Sequence, residues 1–128
     1  MPMRDHRKLI AFQLADALAL KVYRSTRDFP KEETYGLAIQ LRRSIVSVAS
    51  NIAEGSARNG EADFFRFLDI AQGSAREASY QLSLAHRLGY LPDGELENEA
   101  EDVCRTLGAL IRALRSPAPQ DSVPRTQA

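Results

Sequence analysis

A chain of 128 residues with 44% apolar side chains is long enough to bury one sizeable core and short for two. Seventeen basic residues balance seventeen acidic ones, which leaves no uniformly basic surface, and a single cysteine excludes an internal disulfide or a cysteine-built zinc site. With no run of about 18 apolar residues and no secretory leader pattern, a cytoplasmic, reducing setting is expected.

Four segments repeat apolar residues at helical spacing. In the first, expected over about 6–26, Leu9, Phe12, Ala15, Ala19 and Val22 recur at threes and fours, with Ile10, Leu14, Ala17 and Leu18 widening the stripe. Pro30 stops it, because proline disfavours helical geometry in the residue before it. The second, about 31–57, opens on Glu32 and Glu33, where the helix dipole favours acids, and carries Leu37, Leu41, Ile45, Val48 and Ile52. Asn59-Gly60 is read as a left-handed helix stop, with Asn59 capping the next helix. The third, about 60–88, repeats Phe64, Leu68, Ala71, Ala75, Ala78, Leu82 and Ala85 until Gly89 to Gly94 break it. The fourth, about 93–115, carries Leu96, Ala100, Val103, Leu107, Leu110 and Leu114. Residues 116–128, rich in proline, are expected to be a flexible tail. Short connections imply antiparallel neighbours, so residues 1–115 are expected to form one all-α, up-down-up-down four-helix bundle.

The word I-A-x-G-S-A-R occurs twice, in NIAEGSAR at 51–58 and DIAQGSAR at 69–76. Folding back near residues 58–60 sends the copies to opposed helices, which makes them packing devices rather than a duplicated site. Asn51 and Glu54 belong to a stripe of small and polar residues, and Gly55 is expected to end or loosen the second helix. Gly73 within a helix costs about 1 kcal/mol relative to alanine, so close approach of Gly73 and Ser74 to Ser44 and Arg43 is expected. The same fold-back places Glu77 near Gln40 and Arg43, Glu54 near Asp63 and Arg66, and Asn51 near Arg66.

No spacing spells out a reaction. His6 and His86 are far apart in sequence, H-E-x-x-H is absent, and no glycine-rich phosphate loop occurs. Glu54 and Glu77 could form a carboxylate couple, but neither is followed by histidine three residues on, so ion pairs to Arg43, Arg58 or Arg66 are expected instead. Cys104 shares a face with Ala100, Leu107 and Ile111 and reads as a core residue. Tyr35, Tyr80 and Tyr90 could stack on bases or close a core or an interface. The expectation is therefore a non-enzyme without metal or cofactor. Residues 1–31 carry a net charge of +4 and residues 91–115 of −3. Arg7, Lys8, Arg24, Arg27, Arg42 and Arg43 are candidate phosphate contacts, with solvated or ion-paired faces as the alternative.

The ordered stretches FPKEETYGLAIQLRRSIVSVASNIAEGSARN, FLDIAQGSAREASYQL and LGYL resemble the bacterial four-helix-bundle family also called the 23S rRNA-intervening-sequence protein family. The family's name reflects members encoded inside sequences that interrupt large-subunit ribosomal RNA genes. The resemblance implies a left-handed antiparallel bundle that assembles into homopentamers around a central channel. The chain is also similar to the accessory protein of diversity-generating retroelements, which implies binding of nucleic acid and of a nucleic-acid enzyme through a basic surface. Carried over, the family's arginine-rich segment falls on Arg42 and Arg43, its N-I-A-E-G on Asn51 to Gly55, and its G-S-x-x-E on Gly73, Ser74 and Glu77. Two readings follow: a homo-oligomeric scaffold that binds RNA, DNA or a nucleic-acid enzyme through basic helix faces, and a protein-protein assembly module with no nucleic-acid role.

Overall fold

The computed structural model describes residues 4–115, which form four helices and no strand: α1 (Ile10–Thr26), α2 (Leu37–Ser56), α3 (Glu61–Arg87) and α4 (Glu95–Arg115). Consecutive helices pack on each other and α1 packs on α4, while the diagonal pairs α1/α3 and α2/α4 keep their backbones apart. The arrangement is a four-helix bundle. The expected tail at 116–128 lies outside the described residues.

The apolar period builds the core. Leu41, Ile45, Val48 and Ile52 of α2, Phe64, Leu68, Ala71, Ala75, Ala78, Leu82 and Ala85 of α3, and Ala100, Val103 and Leu107 of α4 are all but fully buried. Full burial of a leucine or isoleucine contributes about 1.5–3 kcal/mol. On α1 the buried line is Ala11, Ala15, Leu18 and Val22, whereas Ile10 and Ala17 face outward, as do Leu20 and, on α4, Leu114. Ile10, Ala17 and Leu114 thus fall outside the stripe expected from the sequence.

Contacts between α3 and α4 climb one helix as they descend the other. The Asp69 carboxylate meets Arg115 at 2.7 Å, the Gln72 amide donates to the Cys104 carbonyl at 3.2 Å, and the Ser79 hydroxyl donates to Glu101. Between α1 and α4, Ile10 lies with Leu110, and Lys21 pairs with Glu99 at 2.9 Å.

Two helix starts lie more than a turn from the sequence reading. Residues His6–Lys8 form a separate 3-10 turn, capped by Asp5, and Leu9 is extended, so α1 begins at Ile10 rather than near residue 6. Arg4 draws this lead-in across the α2–α3 turn: it pairs with Glu61 at 2.9 Å, donates to the Arg58 carbonyl at 3.3 Å and lies 4.0 Å above the Phe64 ring. Lys31–Glu33 is a second isolated 3-10 turn, and α2 begins at Leu37 rather than 31 because Gly36 departs from helical geometry. There the Glu33 carboxylate accepts the Leu37 N–H at 3.0 Å, satisfying one of the donors a helix start leaves open. A Cβ on Gly36 would sit 2.8 Å from that carboxylate.

The left-handed stop is Gly89 (φ 84°), not Gly60, whose φ is −100°. Gly89 closes α3 with paired bonds, Tyr90 N–H to the Ala85 carbonyl at 2.9 Å and its own N–H to His86 at 3.0 Å. Gly60 takes the cap position of α3 in extended geometry, and no side chain caps that helix, Asn59 included.

Candidate nucleic-acid interface

The structure divides the six expected cations among separate places. Arg7 grips Asp5 through Nε at 2.9 Å and Nη2 at 3.2 Å, holding that carboxyl below its usual range. Lys8 is exposed beside the shallow α1–α4 groove of Ile10, Thr106 and Leu110. Arg24 and Arg27 lie toward the other end of α1, about 21 Å along the helix from Ile10 to Arg24.

Arg42 has a structural duty. Its Nε donates to Thr26 Oγ1 at 2.7 Å and its Nη2 to the Tyr23 carbonyl at 3.3 Å, with the guanidinium 4.6 Å above the Tyr23 ring. It therefore ties the last turn of α1 to α2 through a carbonyl that the Thr26 hydroxyl also engages, at 3.3 Å. Arg43, its neighbour in sequence, turns toward α3. It is exposed, and shares a groove with Gln40, Ser44, Ser47, Ser74 and Glu77.

At the α1–α2 corner a recess is lined by Thr26, Arg27, Phe29, Pro30, Lys31, Thr34, Ala38 and Arg42. Its lining contains two hydroxyls and three cations and no carboxylate. Arg27 and Lys31 are exposed and form no ion pair among the described residues. The first turn of α2, at Ala38, adds the positive end of a helix dipole. Arg24 faces a neighbouring groove in which Lys21, Asp93 and Glu95 mix both signs. In sequence Lys31 marks only the start of a helix. The signal for it is Pro30: the chain turns there, so basic residues on either side reach one concavity.

The residues of the doubled word also resolve. The Asn51 amide donates to the Ser47 carbonyl at 2.8 Å and to its hydroxyl at 2.9 Å, rather than approaching Arg66. Glu54 pairs with Arg58 at 2.8 Å, one of the partners expected for it, while Arg66 pairs with Asp63 at 3.5 Å. Glu77 forms no ion pair with Arg43; it accepts from the Gln81 amide at 3.4 Å. The cross-helix polar contact is Ser47 to Ser74, hydroxyl to hydroxyl at 2.8 Å, one turn from the expected Ser44.

Gly73 does not mediate close approach: a Cβ there would meet nothing within 4 Å. Gly55 does, since a Cβ on it would lie 2.7 Å from Phe67 Cβ and 3.4 Å from the Phe64 carbonyl oxygen. Gly55 lies in the last turn of α2, whose helix continues to Ser56.

Tyr90 closes the helix-end layer against Phe29, with ring centroids 5.3 Å apart, whereas Tyr35 and Tyr80 are exposed. Cys104 is buried, and burial pushes its thiol above the ordinary range. Among the described residues no group of three or more His, Cys, Asp or Glu side chains is placed to hold a metal ion. No described helix is long and apolar enough to cross a membrane.

Among solved structures, a crystal structure of a protein of unknown function from the S23 ribosomal protein family of Bacteroides thetaiotaomicron VPI-5482 is similar in fold. It superposes with a TM-score of 0.72 over 80% of this chain and 96% of that one, at 22% identity. No curated protein matches. The model of one family, the 23S rRNA-intervening sequence proteins, matches residues 7–112. That match covers three helices whole, most of α4 and both copies of the doubled word, so the chain belongs to the 23S rRNA-intervening sequence protein family.

Proposed function

We propose that this protein is a non-enzymatic homo-oligomeric scaffold, a pentamer, that binds RNA or DNA through the recess of Arg27 and Lys31. The observation that carries the reading is that two cations without carboxylate partners face one acid-free concavity. Elsewhere among the described residues Arg7, Lys21, Arg58, Arg66, Arg105 and Arg115 are ion-paired, Arg24 and Arg43 line grooves that also hold carboxylates, and Lys8 is the one cation of its groove. One recess offers few phosphate contacts, in keeping with a chain of zero net charge. A ring repeats the recess around an axis, and repetition on one strand converts weak contacts into avidity. The pentameric state and the nucleic-acid ligand follow the family resemblance, and a cytoplasmic setting belongs to the same reading.

A salt titration tests it. Labelled single-stranded RNA and duplex DNA should bind at low salt and be released as salt rises. On the single strand, Arg27→Ala with Lys31→Ala should reduce the magnitude of the log–log slope by about 1.4 per engaged recess. Absence of binding by the intact oligomer at low salt would sink the nucleic-acid reading.

The exposed apolar residues of α1, Ile10 at 59% and Leu20 at 54%, favour the second reading, a protein-protein assembly module. A pentamer by mass that ignores both nucleic acids at low salt would select it.

A further inference from the structure

Resting on the self-association just proposed, the inference concerns which surfaces meet. Helix α1 is apolar on two sides: Ala11, Ala15, Leu18 and Val22 face the core, while Ile10, Ala17 and Leu20 face out. That outward line leaves large apolar side chains, Ile10 and Leu20, uncovered in the single copy. Helix α3 carries an outward line as well, Ile70, Gly73, Glu77 and Tyr80, all exposed. Both lines advance by alternating threes and fours, with the exposed Gln13 between Ile10 and Ala17 on α1, the period at which two helices stay in register along a shared seam.

The lines complement each other in shape and charge. Gly73 is a notch in the surface, with open space where a side chain would stand, and its cost within a helix goes unreturned inside one copy. Among the described residues Glu77 meets only an amide, and Arg24, the next outward residue after Leu20, forms no ion pair, although Asp93 and Glu95 line the groove beside it. Laid side by side in the same direction, so that Ala17 falls on Ile70, the seam puts Leu20 at the Gly73 notch and Arg24 at Glu77. Arg43 borders Glu77 from α2 within the same groove without pairing to it.

We propose that the outward seam of α1 in one copy docks on the outward seam of α3 in a second copy, Leu20 entering the notch at Gly73 and Arg24 pairing with Glu77. The two helices occupy diagonal corners with their backbones apart, so no copy can make this contact with itself. Both run against α4: Ile10 to Lys21 descends from Leu110 to Glu99, and Asp69 to Ser79 descends from Arg115 to Glu101. They therefore share a direction, as the seam requires. A contact between two different faces is head-to-tail, and it repeats until it closes a ring or extends as a filament.

The test is the assembly constant of the full chain, from light scattering and sedimentation across micromolar concentrations. Gly73→Leu fills space that is open in the single copy, so helicity and melting should persist while assembly weakens at least tenfold. Leu20→Glu should do the same. Arg24→Glu and Glu77→Arg should each weaken assembly, and the two together should restore it to within about threefold of the wild type. Wild-type assembly by both Gly73→Leu and Leu20→Glu would overturn this interface and leave self-association standing. A wild-type chain that is monomeric throughout would overturn both.

Discussion

Gly55 and Gly73 hold the same place in the word I-A-x-G-S-A-R and meet opposite surroundings. Gly55 faces the Phe67 Cβ and the α3 backbone at distances that leave no room for a methyl, so Gly55→Ala should destabilise the fold by about 1–3 kcal/mol. Gly73 faces open space, and Gly73→Ala should stabilise the dissociated chain by up to about 1 kcal/mol; denaturant titration of both variants checks the pair. Spacing shows that the word falls on two helices, but it does not show how each helix is rotated about its axis. That rotation buries Ile52 and leaves Ile70 at 42% exposure, and it assigns the close approach to the first glycine. The Arg42-Arg43 pair illustrates the same limit of pattern. Adjacent helical residues lie about 100° apart around the axis, so one latches onto α1 and the other opens onto α3. Arg42→Ala should cost about 1–2 kcal/mol through the lost bonds to Thr26 and Tyr23, whereas Arg27→Ala should leave stability nearly unchanged.

The elements were legible wherever the apolar period is long. The inward lines of α2, α3 and most of α4 follow it residue for residue, because a half-buried helix can satisfy only one stripe. The helix starts were less legible, since they depend on contacts distant in sequence. Glu33 reads as an acid suited to a first helical turn, yet it caps α2 from outside and also accepts the Tyr90 hydroxyl at 2.9 Å, joining the α1–α2 and α3–α4 connections. The Leu37 N–H first, and the Tyr90 hydroxyl second, hold the Glu33 carboxyl below its reference value of 4.5. A carboxyl lowered on folding adds stability above its unfolded pKa and loses it as pH falls through the folded one. Melting temperature should therefore drop on acidification below pH 4.5, with Glu33→Gln removing this group's part of the drop and Tyr90→Phe reducing it. Identical acid profiles for the wild type and Glu33→Gln would show that this link contributes nothing.

At the scale of the whole molecule, charge counting along the chain located a basic first third but not its shape. The recess became visible only when the turn at Pro30 brought Arg27 and Lys31 together and Arg42 was withdrawn into a latch. Assembly and binding should be coupled through avidity. Leu20→Glu, if it leaves single copies, should lose on the order of 100-fold or more in affinity for a strand long enough to bridge several recesses, and little for a short one. Titrations with oligonucleotides of increasing length would show the two curves diverging. Arg4 lies against Glu61 and Phe64, and Arg115 lies against Asp69 and the Phe65 ring, so both ends of the described chain emerge beside the α2–α3 turn. The recess of Arg27 and Lys31 sits at the far end of α1. Anything joined directly at Arg4 or at Arg115, whether an affinity handle, a fluorophore or a surface anchor, starts from one pole of the bundle and leaves the recess at the opposite pole facing solution.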